Sequence, residues 1–127
     1  MEFASSAGLP DDVLIVEDDP IIALDLEETI LGFGVSVVRL ASSVARALEI
    51  IAERPPDFAL LDIGLIRERA FAIAERLDAL KIPFAFVTGY GSEVRVPPAF
   101  VGSPRVPKPC SRNALEAALL RRSGTGG

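Results

Sequence analysis

Val13-Leu14-Ile15-Val16-Glu17-Asp18-Asp19 is a short, unbroken apolar run that ends in three consecutive acids. Such a run suits a strand buried on both faces, as in a parallel sheet covered by helices on either side. Phe58-Ala59-Leu60-Leu61-Asp62 repeats the pattern with a single terminal acid. Between these two strands, Pro20 is a good first helical residue, and Ile21, Ile22, Leu24, Leu26, Ile30 and Leu31 give a broad apolar face that Gly32 and Gly34 end. Val35 to Leu40 reads as a second strand. Ser43 can cap a helix running to about Arg54, which Pro55-Pro56 stops.

Beyond Asp62 the alternation continues. Arg67 to Leu80 has helical spacing, and Pro83 to Val87 makes a fourth strand that Thr88-Gly89 closes. Pro97 and Pro98 disfavour a long helix between Ser92 and Val101, so the fourth crossover helix is expected to be short or irregular. Arg105-Val106 is a weak fifth strand interrupted by Pro107, and Ser111 caps a last helix ending near Arg122. Five strands alternating with helices predict an α/β fold with a doubly wound, five-stranded parallel sheet of the flavodoxin-like kind, in strand order 2-1-3-4-5. The folded domain is placed at residues 12–122, between flexible tails at 1–11 and 123–127 that are rich in Ser, Gly and Thr.

The 127 residues suffice for one domain, and a composition half apolar and a quarter charged is that of a globular protein with a sizeable core. A net charge of -5 argues against direct nucleic-acid binding and against anionic membranes. No stretch reaches the roughly 18 to 20 apolar residues that span a bilayer. Cys110 stands alone, which excludes an intramolecular disulfide and fits a cytoplasmic setting. The absence of histidine removes Ser-His and Cys-His catalysis and leaves carboxylates, hydroxyls and lysine to carry chemistry.

Ligands of open parallel sheets bind at the carboxyl ends of the strands, near the switch between the first and third. Glu17-Asp18-Asp19, Asp62, Thr88 and Lys108 are all expected on that rim. Crowded carboxylates raise one another's pKa values, so a hard divalent cation is the natural way to keep them ionised, and an oxygen-only site of this kind suits Mg²⁺. Taken singly each string has a plainer reading: the acids as helix caps, Thr88-Gly89 as a strand-ending turn, Lys108-Pro109 as a loop. Their joint placement favours a functional site.

In that order, Val-Glu-Asp-Asp, Leu-Leu-Asp, Val-Thr-Gly and Pro-Lys-Pro resemble the receiver domains of bacterial two-component response regulators over almost the whole folded length. The resemblance implies that Asp62 takes a phosphoryl group from the phosphohistidine of a sensor histidine kinase or a histidine phosphotransfer protein. It places Glu17, Asp18, Asp62 and the Gly64 carbonyl around Mg²⁺, pairs Lys108 with phosphoryl oxygens, and makes Thr88 the hydroxyl that moves to bond them. A cis Lys108-Pro109 peptide is part of the same expectation. Such a domain catalyses its own phosphorylation and dephosphorylation without being a turnover enzyme, and it switches contacts with a downstream protein target.

One departure is Arg105, where many receivers carry an aromatic three residues before the lysine. Phe86-Val87-Thr88-Gly89-Tyr90 instead resembles a smaller group with a Phe-x-Thr-Gly motif followed by an aromatic. Gly64 offers no side chain to hold an attacking water, which predicts a long-lived phosphoryl group. Val94, Val96, Phe100 and Val101 would leave an apolar patch suited to a partner or a homodimer. Two other readings stand beside this one: a metal-dependent hydrolase using the same acids, and a degenerate receiver serving as a docking surface.

Overall fold

The computed structural model describes residues 8–62, 69–88, 103–108 and 110–125. Five strands alternate with four helices among the described residues: β1 (Asp12–Val16), α1 (Pro20–Gly32), β2 (Val37–Ala41), α2 (Val44–Glu53), β3 (Phe58–Asp62), α3 (Arg69–Ala79), β4 (Phe84–Thr88), β5 (Arg105–Pro107) and α4 (Arg112–Thr125). All strand pairs are parallel, in the order β2-β1-β3-β4-β5. This is the doubly wound, flavodoxin-like sheet that the alternation predicts.

Apart from Asp12 at the start of β1 and Asp62 at the end of β3, the strands β1 and β3 are apolar because the sheet is packed on both sides. Leu14, Val16, Ala59, Leu61 and Phe86 point into one core with Ala47 and Ile51 of α2 and Ile73, Ala74 and Leu77 of α3. Val13, Ile15, Phe58, Leu60 and Val87 point into the other, with Leu26 and Ile30 of α1 and Leu115 and Leu119 of α4. Alternate residues of one strand thus feed opposite cores, the period-two geometry of an extended chain. In the first core the rings of Phe71 and Phe84 meet Phe86 edge-on, at centroid distances of 5.8 and 5.5 Å.

Local signals set the boundaries. Asp19 caps α1 and Pro20 occupies its first turn. At the other end, Gly34 at φ 110° makes the turn, its N–H donating to the Leu31 carbonyl. Only glycine takes that conformation without strain, so Gly34 ends the helix while Gly32 is still inside it. Ser43 and Ser111 cap α2 and α4, accepting the main-chain N–H groups of Arg46 and Ala114. α3 closes with a Schellman turn in which Lys81, at φ 61°, takes the left-handed position usually given to glycine, and the Ile82 N–H donates to Leu77.

Three expectations need correction at their edges. β2 begins at Val37 rather than Val35, because Val35 is already buried in the second core before the chain pairs with β1. Leu9 and Pro10, assigned to the flexible tail, are buried, and Leu9 packs with Phe33, Val35 and Phe58 under the sheet. The last helix runs on to Thr125, so residues 123–125 are helical rather than tail. The expected crossover helix at Ser92–Val101, the apolar patch with it, and Gly64, Tyr90 and Pro109 lie outside the described residues.

Candidate functional site

Each acid of the site sits where a buried strand runs out. β1 ends at Val16, but the Glu17 N–H still donates to the Ala41 carbonyl at 3.0 Å, holding the next residue in the sheet's line. Asp62 is the last residue of β3 and is paired in register with Val87 of β4. Thr88 ends β4, and its carbonyl accepts the Lys108 N–H at 2.9 Å. That bond fixes the start of the Lys108 side chain on the same rim.

The structure brings Glu17, Asp62 and Lys108 together. Glu17 and Asp62 are the two buried acids of the described residues, 2% and 1% exposed. The Lys108 ammonium donates to Asp62 Oδ2 at 2.5 Å and lies 3.3 Å from Glu17 Oε1. Glu17 Oε2 accepts the Asp19 main-chain N–H at 3.1 Å, whereas Glu17 Oε1, buried, has no hydrogen-bond donor in good geometry despite the nearby ammonium. Asp18 is exposed at the mouth, and Thr88 is half-buried. An open groove of about 570 Å³ is lined by Glu17, Asp18, Leu24, Leu40 and Arg46 among others.

The electrostatics are unbalanced. Burial pushes the Glu17 carboxyl up to about 7, and the hydrogen-bonded Asp62 carboxyl adds to the shift, against the lowering effect of the Asp19 N–H and the lysine. Burial pulls Lys108 down, but the two carboxylates outweigh it and hold the ammonium above the ordinary lysine range. Among the described residues, Lys108 is the cation that these two buried carboxyls face. Burial also drives the Cys110 thiol up to about 11, as befits a packing residue beside the second core rather than a nucleophile.

A hard cation fits this donor set. The donors are oxygens, and Glu17 Oε1 meets the Lys108 ammonium at 3.3 Å but accepts no well-formed hydrogen bond. Among the described residues no three acidic or other ligating side chains converge into a ready cage. Mg²⁺ does not require one, since it is commonly held by one or two carboxylates and keeps several waters. Glu17 and Asp62 would supply the inner oxygens and Asp18 the outer edge. The sequence reading located these acids; it did not assign Asp19 the task of holding Glu17 by its main chain, although an Asp-Pro pair after a strand signals the helix cap that creates that bond.

Comparison with known proteins identifies the family. The sequence profile of the response regulator receiver domain matches residues 13–120. The phyllosphere-induced regulator PhyR of Methylorubrum extorquens is 30% identical over 126 residues, covering 93% of this chain and 47% of PhyR. The chain thus spans about half the length of that relative. Among solved structures, SdrG from Sphingomonas melonis Fr1 superposes with a TM-score of 0.77 at 34% identity, covering 92% of this chain and 98% of SdrG. The anti-anti-sigma factor PhyR from Bartonella quintana gives 0.78 at 25% identity, over 98% of this chain and 51% of that one.

Proposed function

We propose, for a chain that belongs to the response regulator receiver domain family, that Asp62 is the residue that accepts the phosphoryl group and that Glu17, Asp18, Thr88 and Lys108 serve it. The observation that carries the assignment is the pair of buried acids Glu17 and Asp62 with the half-buried Lys108 at the carboxyl ends of β1, β3 and β5.

An Asp62 carboxylate oxygen attacks the phosphorus of a phosphohistidine on a sensor kinase or phosphotransfer protein. The new O–P bond forms as the N–P bond breaks, and the leaving imidazole keeps the electron pair and takes a proton from solvent. Lys108, already on Asp62 Oδ2, follows the charge outward and pairs with a phosphoryl oxygen, so that no buried charge is left alone at any point. Thr88 ends β4, one residue beyond the Val87 that pairs in register with Asp62, and its hydroxyl turns to bond the same group. When bound by Glu17, Asp18, Asp62 and the Gly64 carbonyl, Mg²⁺ supplies further positive charge to the transferring oxygens.

The result is a switch. A phosphoryl group adds close to two negative charges, and rearrangement at β4 and β5 alters contacts with a downstream protein. A cytoplasmic location accords with the lone, packed Cys110. Among the described residues no helix is long and apolar enough to cross a membrane.

Acetyl phosphate, with and without Mg²⁺, followed by intact mass of the wild type and Asp62→Ala, tests the assignment. One phosphoryl adduct is expected, only with Mg²⁺ and only with Asp62 present. An adduct that persists in the variant would place the acceptor elsewhere.

A further inference from the structure

Glu17 is held in the site through a single main-chain donor, the Asp19 N–H to Oε2 at 3.1 Å. Where that donor points is decided by helix α1. Asp19 is its N-cap, in extended geometry at φ -88° and ψ 113°. Its side-chain Oδ1 accepts the N–H groups of Ile21 at 2.9 Å and Ile22 at 3.3 Å, and its carbonyl accepts that of Ala23 at 2.9 Å. Three bonds thus fasten one residue to the first turn of α1, which is itself anchored in the second core by Leu26 and Ile30. The fourth bond, from the N–H of the same residue, runs back to Glu17. Without the cap, the turn through Asp18 and Asp19 loses what keeps its backbone extended, and the donor is free to swing away from the carboxylate.

From this linkage we infer that Asp19 is a positioning residue of the phosphoacceptor site: by capping α1 it aims its own main-chain N–H at Glu17 Oε2 and so fixes the orientation in which the Glu17 carboxylate meets a divalent cation. The inference rests on the reading of Glu17 as a cation ligand. Asp19 acts through Glu17, and what matters is its capping oxygen rather than its charge. Serine, which caps without a charge, therefore substitutes for it, and alanine does not.

Mg²⁺ affinity of the intact chain, measured by calorimetric titration of the wild type, Asp19→Ala, Asp19→Ser, Glu17→Ala and the double variant Asp19→Ala/Glu17→Ala, separates these roles. Asp19→Ala is expected to weaken Mg²⁺ about tenfold, the usual cost of losing a partner that orients a metal ligand. Asp19→Ser restores affinity to within about twofold, as a residue of similar capping strength, and Asp19→Ala has no further effect once Glu17 is alanine. Wild-type affinity in Asp19→Ala, with only a lower melting temperature, would make the cap merely structural and overturn the inference. So would equal losses for alanine and serine, which would assign the effect to charge. A wild type that binds no Mg²⁺ would instead overturn the reading of the site itself.

Discussion

At the amino-terminal edge of the sheet Asp12 is gripped from both sides, whereas at the carboxyl-terminal edge two buried acids, Glu17 and Asp62, both pair with Lys108. Arg39 reaches across from β2 and pairs both Asp12 oxygens at 3.0 Å, and Arg54 adds a contact at 3.3 Å. Arg39 also donates to the Arg54 carbonyl, and the Asp12 N–H donates to Asp57. One edge therefore closes its charges on themselves, tying β1, β2, the end of α2 and the start of β3. Among the described residues, the other sets two buried carboxyls against one ammonium, with Glu17 Oε1 accepting no well-formed hydrogen bond. Matched charge serves the fold, and unmatched charge marks where the molecule expects something from outside.

The difference can be broken from either edge. Asp12→Ala leaves Arg39, 19% exposed, without its bidentate partner, and is expected to cost about 2 to 3 kcal/mol in urea-unfolding stability, the scale of a lost charged hydrogen-bond pair. Phosphorylation of Asp62 is expected to proceed as before. At the opposite edge, Glu17→Gln is expected to weaken Mg²⁺ by about tenfold or more, about 1.4 kcal/mol, while leaving the metal-free fold as stable or more so, because a buried charge has been removed. Calorimetric titration and thermal melting in chelator check the two halves of that statement.

Lys81 sharpens the contrast at smaller scale, since it lies at the far end of α3 from the site. Lys81→Gly relieves the left-handed strain at the helix end and is expected to stabilise the fold by about 1 kcal/mol. Acetyl phosphate labelling should not change. The smallest effect is in pH. Glu17 has its folded value raised to about 7 from an ordinary 4.5, so between those values the folded chain holds a proton that the unfolded chain has lost. Metal-free stability then falls as pH rises through that window and levels off above it, the reverse of a salt-bridged acid. The fall should be shallower in Glu17→Gln, by thermal melting in chelator at pH 5 and pH 7.5.

Much of this was legible in the chain. Strings such as Val13–Val16 and Phe58–Leu61 declare strands buried on two faces, and the acids that end them declare a rim, because both signals are local and periodic. The clamp at Asp12 was not legible: Arg39 lies 27 residues away, and nothing in an exposed-looking arginine names its partner until the sheet register is known. Lys81 escaped for a different reason, since the turn that ends α3 is specified by Leu77 and Ile82 packing into the core rather than by glycine. Leu9 was assigned to a tail because, between Gly8 and Pro10, it belongs to no periodic apolar run that would betray its burial. At the site, the residue types and their order were readable, but which atoms hold Glu17 depends on backbone geometry at Asp19.

The central claim is that the excess carboxylate at the carboxyl-terminal edge is the acceptor site and the matched edge is not. Thermal melting of the wild type, Asp62→Ala and Asp12→Ala in chelator and in excess Mg²⁺ tests it directly. The account predicts that Mg²⁺ raises the midpoint of the wild type and of Asp12→Ala by a similar amount, and that of Asp62→Ala by much less. An equal rise in all three proteins would contradict it.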